Sequence, residues 1–96
     1  MAAYLVVDLE VVDQAGFETY RTQVPQTIAK YGGRYLVRGG KTEVLEGDWR
    51  PKRVVVLEFP SVEQAKRWYE GEEYRAPKAL RVKTARTNLV LVEGVS

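Results

Sequence analysis

The chain contains the stretch Arg53-Val54-Val55-Val56-Leu57-Glu58-Phe59, which is β-branched and apolar over most of its length. This composition predicts a β-strand with both faces largely covered. Ser61 follows the strand and Gln64 comes three residues later, which is the capping-box pattern of a helix start. A helix is therefore predicted directly after the strand, ending at Gly71.

Upstream of this stretch, residues 4–12 alternate between an apolar set (Leu5, Val7, Leu9) and a mixed set, which predicts a first strand. Asp13 is a suitable N-cap for a following helix. The helix is predicted from apolar residues three or four positions apart: Phe17, Tyr20, Val24, Ile28 and Tyr31. We expect Pro25 to kink or split it, because proline lacks a backbone donor. Gly32 suits the C-terminal cap.

The middle of the chain allows two interpretations. Residues 34–38 read as a second strand, which Gly39-Gly40 interrupts before a strand-like pattern resumes at 42–45. The glycine pair is compatible with a tight hairpin, or with a bulge that bends one long strand. Residues 47–51 read as a loop, and contact with a partner subunit is our preferred role for its Trp49.

The remaining segments complete a known order. A short helix is expected at about 72–82, with acidic residues at its start and basic residues near its end, and a last strand at 88–93. The order strand, helix, strand, strand, helix, strand is that of a ferredoxin-like α+β sandwich, predicted here as one domain over residues 1–96. Both helices then cover one sheet face, and the other face needs a cover.

Composition narrows the function classes. The 96 residues carry a formal net charge of +2 and contain no cysteine and no histidine. This excludes disulfides, thiolate nucleophiles, zinc–thiolate sites and a histidine base. With no cofactor motif and no cluster of carboxylates, we expect no cofactor and no metal. Lacking a secretory pattern or a long apolar run, the chain is expected to be cytoplasmic, with no membrane partner.

Four runs of sequence resemble a known family. They are Tyr31-Gly32-Gly33-Arg34-Tyr35-Leu36-Val37-Arg38-Gly39-Gly40, Glu43-Val44-Leu45-Glu46-Gly47-Asp48-Trp49, Glu58-Phe59-Pro60-Ser61 and Leu91-Val92-Glu93-Gly94. The chain resembles, over essentially its whole length, the bacterial family called domain of unknown function 1330, which is similar to the dimeric α+β barrel superfamily. The resemblance implies two ferredoxin-like sheets packed face to face in a homodimer, and favours the bent long strand. It implies no particular reaction, because one fold hosts many functions.

Strand alternation predicts a candidate site. Aligned mixed faces would bring Asp8, Glu58, Arg34 and Arg38 onto one sheet surface facing the dimer barrel. Arginine forks suit a small anionic molecule, and a buried Glu58 or Asp8 would be the candidate catalytic base. An aromatic wall for the ligand is expected from Tyr20, Tyr31, Trp68 and Tyr74. The alternative is that the charges form ion pairs and the aromatic residues are core.

Two functions stay open at this point. One is a cofactor-independent enzyme, resembling a monooxygenase or isomerase. The other is a small-molecule-binding or structural dimer without turnover. RNA binding, which the same element order allows, is disfavoured because the interior of the 53–59 strand is aliphatic and Glu58 would repel phosphate.

Overall fold

The computed structural model describes residues 1–95, which form a four-stranded antiparallel sheet and three helices. In chain order the elements are β1 (Ala3–Val11), α1 (Gln14–Lys30), β2 (Arg34–Arg38), β3 (Val54–Phe59), α2 (Val62–Glu70), α3 (Glu72–Thr84) and β4 (Ala85–Glu93). The strands lie in the order β2-β3-β1-β4. The predicted ferredoxin-like α+β class is confirmed. As expected, two consecutive helices, α2 and α3, follow β3.

Helix starts follow the predicted caps. The Asp13 side chain accepts a hydrogen bond from the Gly16 amide at 3.1 Å, and the Ser61 hydroxyl accepts one from the Gln64 amide at 3.1 Å. Each cap satisfies a donor that the first helical turn leaves free. α1 nevertheless runs through Pro25 as one helix, so of the two expected effects, a kink or a split, the split does not occur.

The core lies between the helices and one face of the sheet. Leu5, Val7 and Leu9 of β1 are buried there, as their alternation predicts. The largest side chains that are fully buried are Trp68, Tyr74, Phe59 and Ile28. Burying aromatic groups of this size supplies much of the hydrophobic stabilisation available to a domain of 96 residues.

The segment between β2 and β3 differs from expectation. Residues 39–53 contain no strand, so the predicted return to strand structure at 42–45 is wrong. Gly39 adopts φ +74° and its amide donates to the Val54 carbonyl at 2.8 Å, which ends the ladder. The chain then leaves the sheet as a long exposed loop, and neither the bent strand nor the tight hairpin describes it. β4, in contrast, begins three residues before its predicted start, directly after α3.

The second sheet face carries no helix and is partly apolar. Val90, Val92 and Val37 are 57%, 44% and 39% exposed there, and the exposed Trp49 of the loop lies beside Val90. Among residues 1–95, no helix is both long enough and apolar enough to cross a membrane.

Candidate ligand-binding site

A cavity lies between the sheet and α1, on the side of the sheet that faces the helices. Its volume is about 40 Å³, and it opens to solvent on one side. This size fits a few waters, so a larger ligand would also have to occupy the open mouth. Its apolar and aromatic lining comprises Val7, Leu9, Phe17, Tyr20, Val24, Ile28, Tyr35, Val55, Leu57, Trp68, Tyr74 and Leu89.

Three arginines gather at the more exposed side of this cavity. Arg21 comes from α1, Arg38 from the end of β2 and Arg53 from the start of β3. The guanidinium carbon of Arg38 lies 4.5 Å from the centre of the Tyr35 ring, and that of Arg53 lies 5.6 Å from the centre of the Phe17 ring. No carboxylate of residues 1–95 lines the cavity.

The arginine cluster is electrostatically unsatisfied. Burial lowers the pKa of Arg53, and the neighbouring charges of Arg21 and Arg38 lower it further. The Nε atoms of Arg21 and Arg53 are buried without a hydrogen-bond partner. The nearest acid is Glu18, whose contact with Arg21, at 3.4 Å, lies on the exposed surface of α1. Donors left unpaired among like charges are the arrangement that an anion would complete.

A β-bulge places Arg38 in this cluster. The register of β2 against β3 pairs Arg34 with Glu58, Tyr35 with Leu57, Val37 with Val56 and Arg38 with Val55, with a shift between Tyr35 and Val37. One extra residue reverses the alternation beyond it. Arg38 therefore lies on the helix side, and the expectation that it shares the open face with Arg34 is wrong.

Helix α1 also positions Arg38. Pro25 has no amide hydrogen, so the carbonyl of Arg21, four residues earlier, has no partner within the helix. Arg38 Nη2 donates to that carbonyl at 3.1 Å. The proline thus creates an acceptor that holds Arg38 at the mouth of the cavity.

The buried end of the cavity contains a polar chain. The Nε atom of Arg81 donates to the Tyr74 hydroxyl at 3.2 Å, and the hydroxyls of Tyr74 and Tyr20 are 3.0 Å apart. The indole of Trp68 stacks on the Tyr74 ring with 4.0 Å between centroids and donates to the Thr27 hydroxyl at 2.9 Å. Burial raises the pKa of Tyr20, so its hydroxyl stays protonated.

The open sheet face holds the other predicted charges. Arg34 Nε donates to Glu58 at 2.6 Å, and this bond, helped by Tyr4, holds the pKa of Glu58 below its ordinary value. A general base with a raised pKa would require the opposite shift. Asp8 accepts from the Trp49 indole at 3.0 Å and from the Lys52 amide at 3.0 Å. In this arrangement Asp8 anchors the loop across the sheet.

The family model described as "Domain of unknown function (DUF1330)" matches residues 2–95. The chain belongs to the DUF1330 family. None of the curated proteins compared with it matches.

Solved structures share the fold of this DUF1330 chain at low sequence identity. A protein of unknown function from Rhodopseudomonas palustris has a TM-score of 0.78 and 16% identity, over 99% of this chain and 83% of that one. SnoaB, a cofactor-independent oxygenase from Streptomyces nogalater, has a TM-score of 0.70 and 14% identity, over 99% and 94%. A dimeric protein of unknown function and ferredoxin-like fold from Bacteroides fragilis has a TM-score of 0.55 and 12% identity, over 97% and 96%. These similarities establish the ferredoxin-like fold.

In this DUF1330 chain, the structure divides the predicted site residues between two places. Tyr20, Trp68, Tyr74 and Arg38 line the helix-side cavity. Asp8, Arg34 and Glu58 lie on the open face, where Arg34 and Glu58 are paired and Asp8 is four residues along β1 from the position opposite Glu58. Tyr31 lies outside both: its hydroxyl donates to Glu73 at 2.6 Å, between α1 and α3. The predicted catalytic roles of Glu58 and Asp8 stay predictions.

Four cavity residues with polar or charged side chains were missed by sequence reasoning: Arg21, Tyr35, Arg53 and Arg81. The sequence contains a periodicity signal for two of these residues, Arg21 and Arg53. Arg21 follows Phe17 by four residues, on the same side of the helix, and Arg53 alternates with Val55 and Leu57. No group of three or more acidic side chains among residues 1–95 is placed to hold a metal ion.

Proposed function

We propose that this DUF1330 protein binds a small organic anion in the cavity between α1 and the sheet. The observation that carries the proposal is the meeting of three guanidinium groups at one cavity whose lining contains no carboxylate. Arginine recognises carboxylates through two parallel hydrogen bonds, and each such charge-assisted contact is stronger than a neutral one.

Binding would relieve two unfavourable features of the free cavity. Arg21, Arg38 and Arg53 repel one another, and an anion among them converts repulsion into attraction. The buried Nε atoms of Arg21 and Arg53 would gain acceptors. A hydrogen bond between charged groups contributes about 1.5–3 kcal/mol, so loss of one arginine should weaken binding roughly 10- to 100-fold.

The ligand should have an apolar body, because the interior is mostly aromatic and aliphatic. Phe17 and Trp68 offer ring faces and edges to a planar group. The cavity volume of about 40 Å³ is below the roughly 150 Å³ that holds a benzene ring, so even a single ring needs the open mouth or a movement of the lining side chains, and a fused ring system is disfavoured. Benzoate, with benzamide as its uncharged isostere, is therefore a suitable probe pair.

The test uses two arginines of one strand that lie on opposite sheet faces. Benzoate should raise the melting temperature of the protein and benzamide should not, because a ligand stabilises the state it binds. Arg38→Ala should abolish most of the shift, whereas Arg34→Ala, on the open face, should leave it unchanged. Calorimetric titration would give the change in Kd for each variant.

The outcomes separate the two sheet faces. Loss of benzoate binding in Arg34→Ala alone would move the anion site to the open face with Glu58 and Asp8. Equal binding of benzoate and benzamide, or no binding of either, would overturn the proposal.

The support for a homodimer comes from the open sheet face. Its exposed valines form an apolar surface without a cover, and a fold relative from Bacteroides fragilis is described as dimeric. Two copies related by a two-fold axis would bury each other's valines and the exposed Trp49. Dimerisation through this face leaves the helix-side cavity of each subunit free for its ligand.

Turnover of the ligand without a cofactor is a second candidate function. SnoaB, described as a cofactor-independent oxygenase, shares the fold, and this chain has an aromatic cavity of its own. A monooxygenation without external reductant adds one oxygen atom to the substrate and removes two hydrogen atoms, while the second oxygen atom leaves as water. Incubation of a bound hydroxybenzoate under ¹⁸O₂, followed by mass spectrometry, tests this: label in the product supports an oxygenase, and unchanged ligand supports binding alone.

A further inference from the structure

The buried end of the cavity holds a cation that has no acidic partner. Arg81 is 5% exposed and forms no ion pair among residues 1–95. Its contact is the Tyr74 hydroxyl, which in turn reaches the Tyr20 hydroxyl. A buried charge normally has a carboxylate partner, so a chain of two phenols in its place requires an explanation.

The direction of donation along this chain follows from the charge at its start. Tyr74 accepts from a guanidinium, which withdraws electron density from its oxygen and makes its own hydrogen a better donor. Tyr74 therefore donates to Tyr20, and the Tyr20 hydrogen is left pointing away from Tyr74. Tyr20 lines the cavity and makes no other side-chain hydrogen bond among residues 1–95. The chain thus ends in a hydroxyl that can donate into the cavity.

Resting on the proposed anion site, we infer that the ligand is an aryl carboxylate with a second oxygen, a phenolate or a carbonyl, at the end remote from its carboxylate. The arginines at the mouth hold the carboxylate, and the Tyr20 hydroxyl donates to the second oxygen. Tyr74 and Arg81 are positioning residues, because they orient and polarise the Tyr20 hydroxyl without touching the ligand.

The exposure of the two groups supports a ligand with two polar ends. Arg38 is exposed and Arg21 and Arg53 are half-buried, whereas Tyr20, Tyr74 and Arg81 are buried. Rings of Phe17, Tyr20, Trp68 and Tyr74 line the same cavity. A planar ring with oxygen atoms at opposite ends matches this polarity, with one oxygen for the arginines and one for the Tyr20 hydroxyl.

The probe that tests this inference is 4-hydroxy-3-nitrobenzoate, whose phenol becomes yellow when it ionises. Donation from Tyr20 stabilises the phenolate, so the phenol pKa of the bound probe should be lower in the wild type than in Tyr20→Phe, by about one pH unit. Tyr74→Phe should give a smaller change of the same sign. Tyr69→Phe is the matched control, because Tyr69 packs on the Trp68 and Tyr74 rings but its hydroxyl makes no hydrogen bond among residues 1–95.

The variants distinguish this inference from the proposed function. Tyr20→Phe should still bind the probe, because the arginines hold its carboxylate, and benzoate should bind both proteins alike. If the bound phenol titrates identically in wild type and Tyr20→Phe, the inference is wrong while the anion site stands. If the wild type binds neither probe nor benzoate, the proposed function itself fails.

A comparison of two ligands on the wild-type protein tests the same inference without depending on the folding of a variant. The hydroxylated probe should bind about 10-fold more tightly than 3-nitrobenzoate above the pH at which its phenol ionises. Equal affinities would overturn the inference.

Discussion

At the scale of single residues, Glu73 links α1 to α3. Its carboxylate accepts from Tyr31 at 2.6 Å and pairs with Lys30. The Lys30 bond first, and the Tyr31 bond second, lower the pKa of Glu73 to about 2. A depressed native pKa stabilises the fold above the pKa of the unfolded chain, near 4.3, and this contribution disappears as the pH falls toward 2.

Glu73→Gln should therefore lower the urea midpoint at pH 7, and the deficit relative to wild type should shrink steadily below about pH 4.5. Equilibrium unfolding at pH 7, 5 and 3 measures it. Glu72→Gln is the control, because the ion pair of Glu72 among residues 1–95 is with Arg75, on the same exposed helix surface. A deficit that stays constant with pH would mean that the substitution acts through packing and not through the charge.

Strand alternation placed one of the two predicted arginines on the wrong sheet face. Alternation assigned Arg34 and Arg38 to one face, which holds only for a regular strand. The bulge after Tyr35 reverses it, and no residue between 34 and 38 signals that shift. The arginines of the cavity also come from three separate elements, so their meeting depends on tertiary packing that local patterns do not encode.

At the scale of elements, α1 contains Pro25, which the sequence identifies as an interruption of the helical hydrogen bonds. Its consequence is a free carbonyl rather than a broken helix, and Arg38 uses that carbonyl. Pro25→Ala would restore an amide that bonds to the Arg21 carbonyl and competes with Arg38. We expect unchanged or higher thermal stability, since alanine is the better helix former, together with benzoate binding that is several-fold weaker.

Calorimetric titration with benzoate checks the Pro25→Ala prediction, and Gln26→Ala on the exposed side of α1 serves as its control. Unchanged affinity in Pro25→Ala would show that the Arg21 carbonyl does not set the position of Arg38.

The helix starts were predicted correctly because their signals are contacts between residues that are close in sequence. Asp13 and Ser61 mark helix starts because capping is a contact across three residues. The 42–45 pattern failed because a strand needs a partner and residues 42–45 pair with none: β2 and β1 occupy both edges of β3, and the outer edges of β2 and β4 stay unpaired among residues 1–95. The sequence of residues 39–53 contains no information about that occupancy.

At the scale of the whole molecule, the sheet has one covered face and one face that exposes valines. Val90 is 57% exposed on the open face, in the edge strand β4, and Val82 is 67% exposed on α3. If two subunits pack sheet to sheet, a lysine at position 90 would be buried in the interface without a partner, whereas one at position 82 would remain in solvent.

Val90→Lys should therefore convert a particle of twice 10.9 kDa into a monomer, and Val82→Lys should leave the dimer intact. Sedimentation velocity over a range of concentrations measures both. Because the cavity lies on the opposite side of the sheet, the Val90→Lys monomer should retain benzoate binding if it stays folded. A dimer that survives Val90→Lys but dissociates with Val82→Lys would place the interface on the helices, and the open valines would then need another cover.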